Sequence, residues 1–168
     1  MNILPEDAHF KNYDQRQLNP QALSGMKRIN IFLMLFLTLV TLGIYPAYWY
    51  FVKVRQINKL YPNYPVNSIF FTFFLIFYAL YYVLQFLPGN GGHASGDDAP
   101  NPSVVTITSV AFITQFIMVF MMRNRINAIV GAKPRDKYWV NGWLTFFFHL
   151  YYIQYKINQI KDESQSRN

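Results

Sequence analysis

Four uncharged apolar runs separated by polar segments make up most of this chain, and their lengths predict an all-α integral membrane protein. Residues 29–52 carry no charge over 24 positions, and residues 68–87 read SIFFTFFLIFYALYYVLQFL without one. Both reach the length of about 20 residues that an apolar helix needs to cross a bilayer. A third run, 104–122, ends at Arg123; a fourth, 138–155, is uncharged for only 18 positions and contains Gly142 and His149. Asn67 or Ser68, after Pro65, offers the second run a helix N-cap, and Pro88-Gly89 ends it. The third begins in the same manner after Pro102-Ser103. Runs two and three are therefore expected to be spanning helices joined by 88–103, a Gly-, Pro-, Asp- and Asn-rich loop with no basic residue.

Basic residues then weigh two topologies against each other. No Lys or Arg lies between Lys59 and Arg123, so the loop 88–103 faces outward by the positive-inside rule. If all four runs cross, both termini also lie outside, and the fifteen Lys and Arg residues divide into eight inside and seven outside. If runs one and four enter and leave on the same face, all fifteen lie inside. Charge thus favours a transmembrane helical hairpin flanked by two re-entrant or kinked apolar segments, with four spanning helices as the alternative. Length argues the other way, since 24 and 18 uncharged residues are ordinary spanning lengths. The organisation that follows is a polar segment 1–28, a membrane domain 29–160 and a polar tail 161–168. The start of the chain lacks the basic flank and cleavage site of a signal peptide, so an internal segment is expected to direct insertion.

Composition narrows the partners. Hydrophobic residues make up 52% of the chain and aromatic residues 19%, with 16 Phe and 13 Tyr crowded into a few runs, which is a membrane signature. The net charge of +7 comes from basic residues scattered along the flanks of those runs, with no stripe or finger motif. Membrane lipids with anionic headgroups are the expected counterpart, and no nucleic acid is expected. The absence of Cys excludes disulfides, thiolate metal sites and Cys nucleophiles.

Within the first run, Thr41-Leu42-Gly43-Ile44-Tyr45-Pro46-Ala47-Tyr48-Trp49-Tyr50 leads into Phe51-Val52-Lys53-Val54-Arg55-Gln56-Ile57-Asn58. Gly43 admits backbone angles that other residues avoid, and Pro46 lacks an N–H and disfavours helical geometry at Tyr45. An elbow is expected here, with Tyr48 and Trp49 at the headgroup boundary and the basic stretch lying along the inner surface. A kinked helix ending in an aromatic belt is the plainer alternative. The passage 41–58 resembles small bacterial inner-membrane proteins of uncharacterised function that carry a T-L-G-I-Y-x-x-Y-W signature followed by a basic K-V-x-x-x-I-N helix. It is also similar to a second uncharacterised family with T-L-G-I-Y-Y-P-W-x-[KR]-x-R between cytosolic segments. Here Pro46 precedes Ala47-Tyr48 rather than Trp, and Arg55-Gln56 interrupts the charge pattern. The resemblance implies a multi-pass protein of the bacterial inner membrane and an elbow with both ends inside; it implies no biochemical activity.

A weaker copy of the elbow follows 103 residues later: Tyr48-Trp49 matches Tyr151-Tyr152, Lys53-Val54 matches Lys156-Ile157, and Gln56-Ile57 matches Gln159-Ile160. The fourth run is thus expected to be a degenerate second elbow. Four related tripeptides, Arg28-Ile29-Asn30, Gln56-Ile57-Asn58, Arg125-Ile126-Asn127 and Lys156-Ile157-Asn158, each sit at an end of an apolar run. They read as interfacial clamps in which the cation meets phosphate, Ile dips into lipid and Asn satisfies frayed helix-end backbone, or else as compositional bias.

Candidate chemistry is sparse. His149 is the one ionisable side chain inside an apolar run, and a neutral His bonded to a nearby carbonyl is its plain explanation. Gln115 shares a helix face with Thr108, Ala111, Met118 and Met122, expected to pack on the Tyr78, Tyr81, Tyr82 and Gln85 face of the second run. Arg28, Lys53, Arg55, Arg123, Arg125 and Lys156 are the expected contacts to headgroups or partners. His93, Asp97 and Asp98 fit a solvated loop better than a metal site, so no metal and no cofactor are expected. No catalytic constellation is present in the sequence. The expected function is a non-catalytic accessory, scaffold or lipid-contacting subunit, with other membrane proteins or further copies of itself as partners. The alternative is a subunit of an oligomeric channel or transporter, with Gln115 and His149 lining a shared path.

Overall fold

The computed structural model describes residues 19–86 and 102–166, and every regular element within them is helical. A 3-10 turn, Pro20–Leu23, leads to α1 (Ile31–Val40), α2 (Tyr45–Leu60), α3 (Ser68–Phe86), α4 (Pro102–Val130) and α5 (Gly142–Ser166). The helices α3 and α4 pack along each other, α5 packs on α4 and on the 3-10 turn, and α1 touches α2 and α5. Among the described residues one helix, Pro102–Val130, is long and apolar enough to cross a membrane; Ser68–Leu84 and Ile31–Val40 are shorter apolar helices.

Side chains are distributed in an order unlike that of a water-soluble bundle. Phe32, Leu39, Ile69, Trp143 and Phe147 are each more than two-thirds exposed, whereas Lys53, Thr145 and Gln154 have no exposure at all. Large apolar side chains exposed in this number mark a surface that meets something other than water, although the core itself is mainly apolar. The apolar part of the core joins Leu23 and Met26 near the 3-10 turn to Met34, Trp49, Phe74, Met118, Ile126 and Ile153 on the five helices.

Several expected boundaries shift, each for a local reason. The first run divides at 41–44 into two helices, where the elbow was expected. The helix expected to stop at Arg123 continues to Val130, because Gly131 with φ 71° ends it: Gly131 N–H bonds Ala128 O at 3.3 Å and Ala132 N–H bonds Asn127 O at 3.0 Å, a Schellman cap. The fourth helix starts only at Gly142, and Tyr138 and Val140 are buried ahead of it. The supposedly polar 1–28 segment places Leu23 and Met26 in the core, and the tail is helical through Ser166. Nearly all of the loop 88–103, including His93, Asp97 and Asp98, lies outside the described residues, as does the Gln85 side chain.

Candidate functional site

Two sharp reversals and three asparagine clamps organise the molecule, and each follows from local sequence. In the first reversal, Leu42 adopts φ 49° and Gly43 φ 92°. Leu42 N–H bonds Leu39 O at 3.1 Å and Gly43 N–H bonds Thr38 O at 2.7 Å, the paired bonds of a Schellman cap on α1. The left-handed position of that cap carries Leu, where Gly is favoured. Pro46 then sits in the first turn of α2, where its missing N–H is not needed. The turn's free carbonyls point at α3: Tyr82 donates to Leu42 O at 2.8 Å and Tyr78 donates to Gly43 O. Irregular backbone is thereby satisfied without water, the condition for placing it at membrane depth. A Cβ on Gly43 would collide with the Tyr82 hydroxyl.

The second reversal is at His149, whose φ of 48° and ψ of −133° divide α5 into arms 142–148 and 150–166. The arms lie together, since Asn141 N–H reaches the Tyr152 hydroxyl at 3.3 Å. The His149 ring meets Phe116 of α4 edge-on at 4.2 Å, and its Nδ1 is buried with no hydrogen-bond partner among the described residues. The carbonyl-bonded histidine expected from the sequence is therefore corrected: this residue is the apex of a turn. The two elbows share one closing contact. Lys53 Nζ donates to Lys27 O, 26 residues earlier, at 2.7 Å, and Lys156 Nζ donates to Lys137 O, 19 residues earlier, at 2.9 Å. The second elbow is a copy shortened by seven residues, about two helical turns.

The isoleucine–asparagine pairs act within the protein. Asn58 accepts from Val66 N–H at 2.7 Å and donates to Val66 O at 3.2 Å. Asn127 accepts from Val140 N–H at 2.8 Å and donates to Val140 O at 3.3 Å. Asn158 accepts from Ile29 N–H at 3.3 Å and donates to Ile29 O at 2.7 Å. Each gripped residue is followed by an asparagine N-cap: Asn30 accepts from Phe32 N–H, Asn67 from Ile69 N–H and Asn141 from Trp143 N–H. Three Ile-Asn clamps thus hold three β-branched-Asn caps, one where each ascending apolar helix α1, α3 and α5 begins. The lipid-dipping role expected of the isoleucines is corrected, because Ile57, Ile126 and Ile157 are wholly buried. Arg28-Ile29-Asn30 belongs to the caps and the other three tripeptides to the clamps. The signal was in the sequence as the repeated Ile-Asn pair, but its partners Val66-Asn67 and Val140-Asn141 are Val-Asn pairs that tripeptide matching passes over.

A polar network ties these pieces together at one end of the molecule. Trp49 Nε1 donates to Gln154 Oε1 at 2.9 Å, and Gln154 Nε2 donates to Asn158 Oδ1 at 2.8 Å. Lys161 Nζ donates to Met26 O at 2.9 Å, so residues 26–29 run as a strap held by α2 and α5. Two expected interface residues are corrected here: Trp49 and Lys53 are buried, because one supplies the Gln154 acceptor with a donor and the other caps a strap carbonyl. Burial, with Lys161 and Lys27 close by, lowers the Lys53 ammonium to about 8. Arg28 pairs with Asp162 at 2.9 Å, a solvent-exposed pair of small energetic value, and Lys137 pairs with the half-buried Glu163 at 2.8 Å.

The remaining candidates separate by position. Tyr48 is exposed, Tyr45 is half-buried, and Arg55 is exposed with its guanidinium 4.0 Å from the Phe51 ring. Arg123 donates to Val140 O at 2.9 Å and covers the Trp139 ring at 4.9 Å, and Arg125 is half-buried on the same stretch of α4. Lys156 also bonds Gln159 at 3.0 Å. Gln115 joins Thr108, Ala111, Tyr78, Tyr81 and Tyr82 around a cavity of about 200 Å³, which brings together the two faces expected to meet. Among the described residues there is no cluster of three metal-binding side chains.

What these elements define, among the described residues, is an all-helical protein with one membrane-length helix and two broken apolar segments that echo each other. The chain belongs to the family described as Domain of unknown function (DUF4234), whose model matches residues 29–160. Neither a curated protein nor a solved structure matches it.

Proposed function

We propose that the protein is a non-catalytic, lipid-contacting module of the bacterial inner membrane, built as a transmembrane hairpin (α3 and α4) carrying two re-entrant elbows. The observation that carries this reading is the position of the three clamps. Asn58, Asn127 and Asn158 all hold the starts of ascending helices, and Lys53 and Lys156 close each elbow onto the backbone just before it. Both ends of each elbow therefore meet at the basic end of the molecule, which supports an orientation with the Lys and Arg residues on the inner side and the loop 88–103 outward. The elbow passage 41–58 is, on this reading, the family's distinguishing signature. Lipids and other membrane proteins are its partners, through the exposed apolar faces of α1, α3 and the first arm of α5.

The cavity beside Gln115 supports a second reading, in which several copies line a polar path. Ion flux through liposomes distinguishes the two. Purified protein in vesicles is expected to pass no ions above the empty-vesicle rate; specific flux that Gln115→Leu abolishes would establish the channel instead.

A further inference from the structure

Both elbows stop partway along the α3–α4 hairpin, and this sets the outline of the described residues. The first apex is held by Tyr78 and Tyr82, ten and fourteen residues past Ser68, and the 10-residue α1 rises about 15 Å, half of a hydrocarbon core about 30 Å thick. The second apex meets Phe116, and α4 runs on from there to Pro102. Among the described residues, the basic half therefore contains six helical passes: α1, α2, α3, α4 and the two arms of α5. The other half, among the described residues, contains two. At a helix diameter of about 10 Å, four extra passes add roughly 300 Å² of cross-section to one leaflet. Phe32 and Leu39 on α1, Leu42 at the first apex and Phe147 on the first arm of α5 are exposed, which on the re-entrant reading sets that side of the extra passes among acyl chains.

We infer that the protein is a one-sided wedge whose ligand is a curved bilayer: it concentrates where the leaflet on its basic side is convex and is depleted where that leaflet is concave. The inference rests on the re-entrant reading above. Unequal cross-section in the two leaflets makes insertion sensitive to curvature, as it does for helices that lie in a single leaflet. Here the wedge is part of the fold, held by the tyrosine-capped apex and the asparagine clamps.

The test uses the full chain with Lys59→Cys in giant vesicles of phosphatidylcholine with a minor share of phosphatidylglycerol, from which narrow tethers are pulled. An impermeant fluorescent thiol reagent marks only molecules with the basic end outside; a reagent enclosed during reconstitution marks the opposite orientation. Basic-end-out molecules are expected to be enriched about twofold or more on the tether relative to the vesicle body, and basic-end-in molecules to be depleted. Equal densities in both orientations, or the same sign in both, would overturn the wedge while leaving the membrane reading intact. Protein released from the vesicles by alkaline carbonate, or bearing cysteines at Ser24 and Lys59 on opposite sides, would overturn the proposed architecture and the wedge with it.

Discussion

Asn127 shows how much a single side chain fixes. It is buried and offers one acceptor and one donor to the backbone of Val140, which is buried as well. Asn127→Leu leaves the Val140 N–H without a partner, while Arg123 still donates to Val140 O, and is expected to cost about 2 kcal/mol in detergent-micelle unfolding. Asn127→Asp should not rescue it, because the carboxylate keeps the acceptor, loses the donor and faces Val140 O. Equal stability of wild type and Asn127→Asp would show that the clamp's donor contributes nothing. Lys53 gives a pH dependence of definite sign. Below about pH 8 folded and unfolded chains both hold its proton; between about 8 and 10.5 only the unfolded chain does, so stability rises with pH across that window. Lys53→Met should remove this rise, measured as the difference between the two stability curves. Neither residue's role was legible in the sequence: Lys53 reads as one more interfacial cation and Asn127 as a helix-end residue, since only the fold brings Lys27 O and Val140 to them.

At the scale of elements, the first elbow was legible because Gly43 and Pro46 are two independent obstacles to helix within one helical turn of each other. What the sequence did not reveal is that Leu42 occupies the left-handed cap position, because no composition rule marks a leucine for it. Leu42→Gly should relieve that conformation and raise unfolding stability by about 1 kcal/mol. Gly43→Ala should lower it by about 1–2 kcal/mol, through its φ of 92° and the displaced Tyr82 hydroxyl, with thermal denaturation in detergent as the readout. A stabilising Gly43→Ala would contradict the packed apex. The second elbow lacks a Gly–Pro pair, and His149 turns the chain with tertiary support from Phe116, which is why its copy was visible only through Lys156 and the residues around it. The continuation of α4 to Val130 was hidden for a similar reason: Arg123 reads as a membrane boundary, yet Val140 O and Trp139 accommodate it.

At the scale of the molecule, the count of basic residues and the geometry of the elbows are independent lines that both support the proposed re-entrant topology. The charge pattern was legible; the three clamps were not, because they link residues from 8 to 129 positions apart in the chain. Together they place the starts of α1, α3 and α5 and the ends of α2, α4 and α5 at a single end. The most direct measurement is labelling of single cysteines at Ser24, Lys59, Gln165 and Ser95 in spheroplasts with a membrane-impermeant thiol reagent, the native chain having no Cys. Cysteines at Ser24, Lys59 and Gln165 should all be protected until the membrane is permeabilised, and the one at Ser95, which lies outside the described residues, should react at once. Reaction at Ser24 and Gln165 in intact spheroplasts, with Lys59 still protected, would mean that the first and fourth runs cross the membrane and that neither is re-entrant.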